Sequence, residues 1–119
     1  MIVHRITINS RILLYRVCSY FIRRYIYNMN QQSDLQQQFD KAFAESKELP
    51  NRPSDDIMLH IYALYKQATI GDINTEPPSN PFEIVGRAKY SAWEGLKGKS
   101  KEESMQDYID LIEKLKRNE

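Results

Sequence analysis

Tyr62, Tyr65 and Lys66 stand close together in Tyr62-Ala63-Leu64-Tyr65-Lys66-Gln67-Ala68-Thr69, a stretch with helical spacing. Tyr62 and Lys66 are i,i+4 and Tyr65 is i,i+3 from Tyr62, so the three share one surface. A phenol beside an ammonium suits a phosphate, because both donate hydrogen bonds and the lysine adds charge. An aromatic face next to them can stack on a base. Taken alone, the same triplet also describes a boundary between core and solvent, with half-buried tyrosines and Lys66 in water, and that is its commoner meaning. Other chemistry is thinly represented. The chain has no phosphate-binding glycine loop, no Gly-x-Ser-x-Gly and no His-Glu-x-x-His. His60 is isolated, and His4 lies far from it in sequence. The acid pairs Asp55/Asp56 and Glu102/Glu103 fall in first turns of helical patterns, where the helix dipole accounts for them. Cys18 is the single cysteine, which excludes an intramolecular disulfide and a multi-cysteine zinc site. No enzyme activity, cofactor or metal is expected.

Four helical patterns position these residues, and no period-2 strand pattern competes with them. The first runs from about Ser33 to Lys47, with Ser33 as its cap and Leu35, Phe39, Ala42, Phe43 and Ser46 on one face. Pro50 and Pro53 stop it. The second begins at Ser54, carries Ile57, Ile61, Leu64, Tyr65 and Ala68 at helical spacing, and ends at Gly71, a position suited to the left-handed region. Residues 71–81 form a long connection in which Pro77, Pro78 and Pro81 forbid helix and central strand. A third helix covers about Phe82 to Leu96, with Val85, Ala88, Ala92 and Leu96 in line, and Gly98 closes the region. The fourth opens with Ser100-Lys101-Glu102-Glu103, a capping box, and continues as the stripe Met105, Tyr108, Ile109, Ile112 and Leu115. The expected fold class is all-α, a four-helix bundle.

The 119 residues suffice for one domain that needs no covalent staple, but composition breaks near Met29. Residues 1–29 hold five arginines and no acid, a charge of +5. Residues 30–119 hold the other twelve basic groups and all sixteen acids, a charge of −4. The near-neutral total argues against a domain held on nucleic acid by bulk charge. The first piece lacks the ~20 apolar residues of a membrane span, and its arginines interrupt any secretory h-region. Two readings of this basic, aromatic-rich extension stay open. One is an organellar transit peptide in residues 1–28, or an imperfect amphipathic helix on an anionic membrane, since Arg5, Arg16 and Arg23 point near one direction with Arg24 not far off. The other is a leader absent from the mature protein, with translation starting at Met29.

The second piece closely resembles the acyl-CoA-binding protein family over residues 33–117. The stretch from Pro53 to Asn74 follows the family signature. Gly86-Arg87-Ala88-Lys89-Tyr90-Ser91-Ala92-Trp93, Leu96-Lys97-Gly98-Lys99-Ser100-Lys101-Glu102-Glu103 and Met105-Gln106-Asp107-Tyr108-Ile109 follow in the family's order and distance. The resemblance implies an up-down-down-up bundle that binds medium- to long-chain fatty acyl-CoA esters without transforming them, an intracellular carrier and pool former in lipid metabolism.

By the same resemblance, Tyr62, Lys66 and Lys89 hold the 3′-phosphate of the CoA ribose, and Lys47 is a further ligand contact at the end of the first helix. Tyr65 belongs to the ligand-lining run of the second helix and Tyr108 is the family's tyrosine on the last. Met58 and Leu59 meet the acyl chain. The expected partners are fatty acyl-CoA, acyl-CoA-using enzymes and membrane surfaces, not nucleic acid, and the expected form is a cytoplasmic monomer. The other reading, a protein-interaction or membrane-recruitment module that keeps the fold and has lost the ligand, would show a broken Tyr62/Lys66/Lys89 set and an apolar surface stripe; the set is intact in the sequence. The chain departs from the family in a proline-rich loop, Glu76 to Pro81, in Val85, where many members carry lysine, and in Tyr90, where tryptophan is common. Trp93 is expected to pack in the core.

Overall fold

A computed structural model describes residues 2–118, with side chains from Arg16 to Asn118. Four helices make up the described residues: α1 (Ile2–Ser46), α2 (Asp55–Thr69), α3 (Ile84–Glu94) and α4 (Lys101–Lys116), with no strand among them. The chain resolves into two compact units, Met1–Asp34 and Leu35–Glu119.

The expected start of the first helix at Ser33 is corrected by α1, which already runs from Ile2. No glycine or proline lies between Ile2 and Ser46, so nothing in the backbone chemistry interrupts the helix. Ser33 is an exposed interior position rather than a cap. In the first unit the residues from Arg16 onward are all exposed; the side chains of His4, Arg5, Arg11 and Tyr15 lie outside the described residues.

The second unit has one core. Phe39 and Ala42 of α1, Leu64 and Ala68 of α2, and Tyr108, Ile109 and Ile112 of α4 bury their side chains together, with Leu35, Phe43, Ile61, Tyr65, Leu96 and Leu115 packed against them. These are largely the inward faces that the 3.6-residue spacing selects. The helix ends are chemically defined. Ser54 Oγ accepts from the Ile57 amide at the start of α2. At the start of α4 the Ser100 hydroxyl accepts from the Glu103 amide while the Glu103 carboxylate accepts from the Ser100 amide, a complete capping box. Gly71, just beyond the end of α2, has φ +100, where a side chain would be strained.

Two hydrogen-bonded links tie the end of α2 to α3 and to the turn before α4. Trp93 Nε1 donates to the Gly71 carbonyl at 2.9 Å, and Trp93 is buried, as its single occurrence on a helix led one to expect. The buried Gln67 amide donates to Asp72 Oδ1 and to the Lys99 carbonyl, each at 2.8 Å, and Asp72 Oδ1 also accepts from the Gly98 amide at 2.8 Å. The Gly98 and Gln67 bonds hold the Asp72 carboxyl below its ordinary value.

α3 is shorter than expected, and Val85 does not join its inward stripe. Phe82, Ile84 and Val85 are all exposed, Val85 at 66%. Buried Trp93 sets the helix phase, and Gly86, two turns earlier, shares its side. A Cβ at Gly86 would stand in ordinary van der Waals contact with Pro78, whose Cγ would be 3.5 Å from it. Val85 falls about 80° away from Trp93 at 100° per residue, toward solvent.

Candidate functional site

Phe43 and Lys47 at the end of α1 face Met58, Ile61, Tyr62 and Tyr65 of α2, and Tyr108 of α4 lies at the floor. With Ser46 and Leu49 these residues line a groove of ≈ 400 Å³. That lies inside the roughly 300–1,000 Å³ usual for small-molecule sites. Helical spacing explains the α2 wall. Met58, Ile61, Tyr62 and Tyr65 are i, i+3, i+4 and i+7 and so present one stripe.

The wall is a cluster of contacting aromatic rings. The Tyr65 ring stacks on Phe43 at 5.0 Å between centroids and on Phe39 at 6.0 Å, while Phe39 and Tyr108 meet at 5.0 Å in a tilted pair. Burial pushes the Tyr108 phenol above its ordinary value, opposed by a hydrogen bond with the Ser46 side chain. The hydroxyl therefore stays protonated at neutral pH and offers the groove a neutral polar group.

Tyr62 is shared between this groove and a basic cluster. Its ring centroid lies 5.8 Å from Lys66 Nζ and 5.2 Å from Lys89 Nζ. Lys66 Nζ also lies 5.7 Å from the Trp93 ring. Lys66 comes from α2 and Lys89 from α3, so the tertiary fold brings the two ammonium groups to one aromatic ring. Neither has a carboxylate partner among the described residues. At the other rim, Lys47 Nζ sits 4.5 Å above the Phe43 ring. The arrangement presents an apolar trough with separate cations at its edges, which is the shape of a site for an amphiphile with an anionic head.

The match to a family model decides what kind of chain this is: the family described as Acyl CoA binding protein matches residues 36–112. The chain belongs to the acyl-CoA-binding protein family. The acyl-CoA-binding protein of Saccharomyces cerevisiae is 46% identical over 81 residues, 68% of this chain and 92% of that one. An acyl-CoA-binding domain-containing protein 1 of Oryza sativa subsp. japonica is also 46% identical over 81 residues, 88% of its length. Among solved structures, that of Oryza sativa acyl-CoA-binding protein 2 superposes with a TM-score of 0.67 at 40% identity, covering 71% of this chain and 92% of that one. The acyl-CoA-binding protein of Moniliophthora perniciosa gives a TM-score of 0.59 at 36% identity, with 64% and 74% covered. The all-α fold expected from the spacing is the fold of this family.

Of the eight residues that the family resemblance nominates, Lys47, Met58, Tyr62, Tyr65 and Tyr108 line the groove, and Lys66 and Lys89 join it through Tyr62. Leu59 does not line it. It is half-buried and lies about 100° around α2 from Met58, off the stripe. The groove also uses Phe43, Ser46, Leu49 and Ile61, which were not nominated as site residues. Phe43 is i,i+4 from Lys47 and Ile61 is i,i+3 from Met58, a signal already present in the spacing. Leu49 lies past the helix end and has no such signal.

The departures from the family pattern lie outside the groove lining. Pro77 and Pro78 border a separate cleft with Arg87, Tyr90, Ser91 and Glu94, and Val85 is exposed. Among the described residues no cluster of His, Cys, Asp and Glu fits a metal ion, and no helix is long and apolar enough to cross a membrane.

Proposed function

We propose that the protein binds medium- to long-chain fatty acyl-CoA esters and carries them unchanged, as a cytoplasmic monomer that supplies acyl-CoA-using enzymes. The observation that carries the reading is the apolar groove ending at Tyr62, whose ring is approached by Lys66 and Lys89 from two helices. A CoA ester has a long apolar tail and a polyanionic head. Its recognition needs a trough for one and a few local cations for the other, not a basic protein. In this assignment Lys66, Lys89 and the Tyr62 hydroxyl hold the 3′-phosphate, Lys47 makes a further ligand contact, and the tail lies against Met58, Ile61 and Tyr65. Each buried CH₂ contributes about 0.8 kcal/mol, so a two-carbon extension strengthens binding by about tenfold until the groove is filled. No nucleophile, metal or cofactor is needed, because the ester is held and not cleaved.

Calorimetry with palmitoyl-CoA, free CoA and palmitate tests this directly. Palmitoyl-CoA is expected to bind far more tightly than either part. Affinity for palmitate equal to that for palmitoyl-CoA would refute the carrier reading. Release of free CoA thiol during incubation would refute the non-enzymatic part.

A further inference from the structure

Every residue of α1 from Arg16 to Asn30 is exposed. Their types divide by direction. At about 100° per residue, Cys18, Phe21, Ile22, Tyr25, Ile26 and Met29 fall within an arc of about 140°. Arg16, Arg23 and Tyr27 cluster on the opposite side within about 40°, with Tyr20 and Arg24 beside them. The apolar arc is wide open to solvent: Phe21 is 65% exposed, Ile22 58% and Tyr25 67%. Contiguous apolar faces of this kind mark an interaction surface.

We propose that this face of α1 docks on an anionic lipid surface, with the helix lying in the plane of the membrane. Charge selects the partner. Residues 1–29 contain no acid, and Arg16, Arg23 and Arg24 have no carboxylate partner among the described residues. A second copy of residues 1–29 offers no acid to pair with and would set arginines beside arginines, whereas anionic headgroups neutralise them. Length selects the mode. The stretch from Arg16 to Asn30 is roughly 22 Å long as a helix, and none of the described helices qualifies as a span, so it lies on the bilayer rather than across it. Tyr25 within the arc suits the headgroup level, where a ring is half apolar and its hydroxyl is wet. The proposal rests on α1 alone and is independent of the acyl-CoA reading.

The test uses the full chain and vesicles of phosphatidylcholine, either pure or with about 30 mol % phosphatidylserine. Three arginines near the surface give about a hundredfold preference for the anionic vesicles at low salt, weakening as salt is raised. The double change Phe21→Asp with Ile22→Asp should lower vesicle binding by at least about tenfold while palmitoyl-CoA affinity stays the same. Since both positions are exposed, circular dichroism of this variant should match the parent. The triple change of Arg16, Arg23 and Arg24 to Gln should lower the lipid preference at least about tenfold, with only Arg5 and Arg11 left in the acid-free stretch, without touching the apolar face. An environment-sensitive dye on Cys18, the single cysteine, should shift to the blue on vesicle addition. The same dye on a Cys18→Ser, Tyr27→Cys chain should not. Equal binding to both vesicle types, no binding to either, or equal shifts at the two label positions would each overturn the proposal. So would a concentration-dependent dimer that Phe21→Asp dissolves, which would assign the face to a second copy.

Discussion

Replacing Lys66 with alanine removes one of the two cations beside Tyr62 and leaves the other in place. Two unit charges about 4 Å apart attract by about 4 kcal/mol at an effective dielectric constant of 20, before the loss of hydration on each is counted. Net charge-assisted hydrogen bonds are weaker, about 1.5–3 kcal/mol. Lys66 is half-buried between Tyr62 and Trp93, and Lys89 is exposed. Solvent therefore screens Lys89 more. Lys66→Ala should cost about 2 kcal/mol of palmitoyl-CoA binding, roughly thirtyfold in Kd, and Lys89→Ala about 1 kcal/mol, roughly fivefold. If both act on one phosphate, the double variant should lose less than the sum. Calorimetry with palmitoyl-CoA and its 3′-dephospho analogue separates this role from a general one. With the analogue, each substitution should change Kd by less than about twofold. The fold should persist, because removing an exposed or half-exposed cation from an aromatic ring costs only about 0.5–1 kcal/mol of stability. Equal losses with both ligands would refute the phosphate assignment. Unchanged affinity in both variants would remove the site altogether.

Three further outcomes come from the packing. Ile112 is completely buried in the core. Ile112→Ala should lower unfolding free energy by about 3 kcal/mol, seen as a lower denaturant midpoint with an unchanged slope. Trp93→Phe should destabilise by about 2 kcal/mol, because it leaves the Gly71 carbonyl without its 2.9 Å donor; a melting temperature within a degree or so of the parent would show that this link is dispensable. Asp72 is held below its ordinary value by the Gly98 amide and the Gln67 amide, so folding favours its ionised form. That contribution is complete above the unfolded value of about 3.9 and is lost as pH falls through it toward the lower folded value. Asp72→Asn keeps an acceptor oxygen and should flatten the acid limb of melting temperature against pH. An unchanged limb would assign it to other groups such as Glu45, whose hydrogen bond to Lys116 also holds it low.

What was legible in the chain was what short-range chemistry determines. Ser100 and Glu103 are three residues apart and satisfy each other's amides wherever a helix begins there, so the capping box could be read directly. Gly71 was legible for the same reason. The start of α1 was not. Ser33 has the type of a cap, but a cap needs a chain that leaves the helix before it, and no breaker precedes it. Val85 was misplaced because apolar character alone does not set helix phase; the buried Trp93 does. At the site, the Tyr62–Lys66 pair could be read from spacing within one helix. The approach of Lys89 to the same ring depends on how α3 packs on α2, and only the family resemblance anticipated it. Leu49 reaches the groove from beyond a helix end, where no period applies.

The total charge of +1 conceals two terms that pull in opposite directions. A stretch of −4 over residues 30–119 repels both a polyanionic head and an anionic bilayer at long range, and the repulsion fades beyond a Debye length of about 8 Å at physiological salt. In the proposed assignment, binding of an acyl-CoA is settled at contact, by the two cations at Tyr62 and by burial of the tail, and the tail's share does not weaken with salt. Docking of α1 on lipid has a different balance. Its arginines lie on an exposed helix with no acid among residues 1–29, so its attraction acts at range and weakens steeply with salt. Raising salt from low to physiological strength should release the protein from anionic vesicles by a larger factor than it releases palmitoyl-CoA from the protein. If the two affinities fell in parallel, the ligand would be held mainly by long-range charge, and the assignment of its tail to the groove wall of Met58, Ile61 and Tyr65 would be wrong.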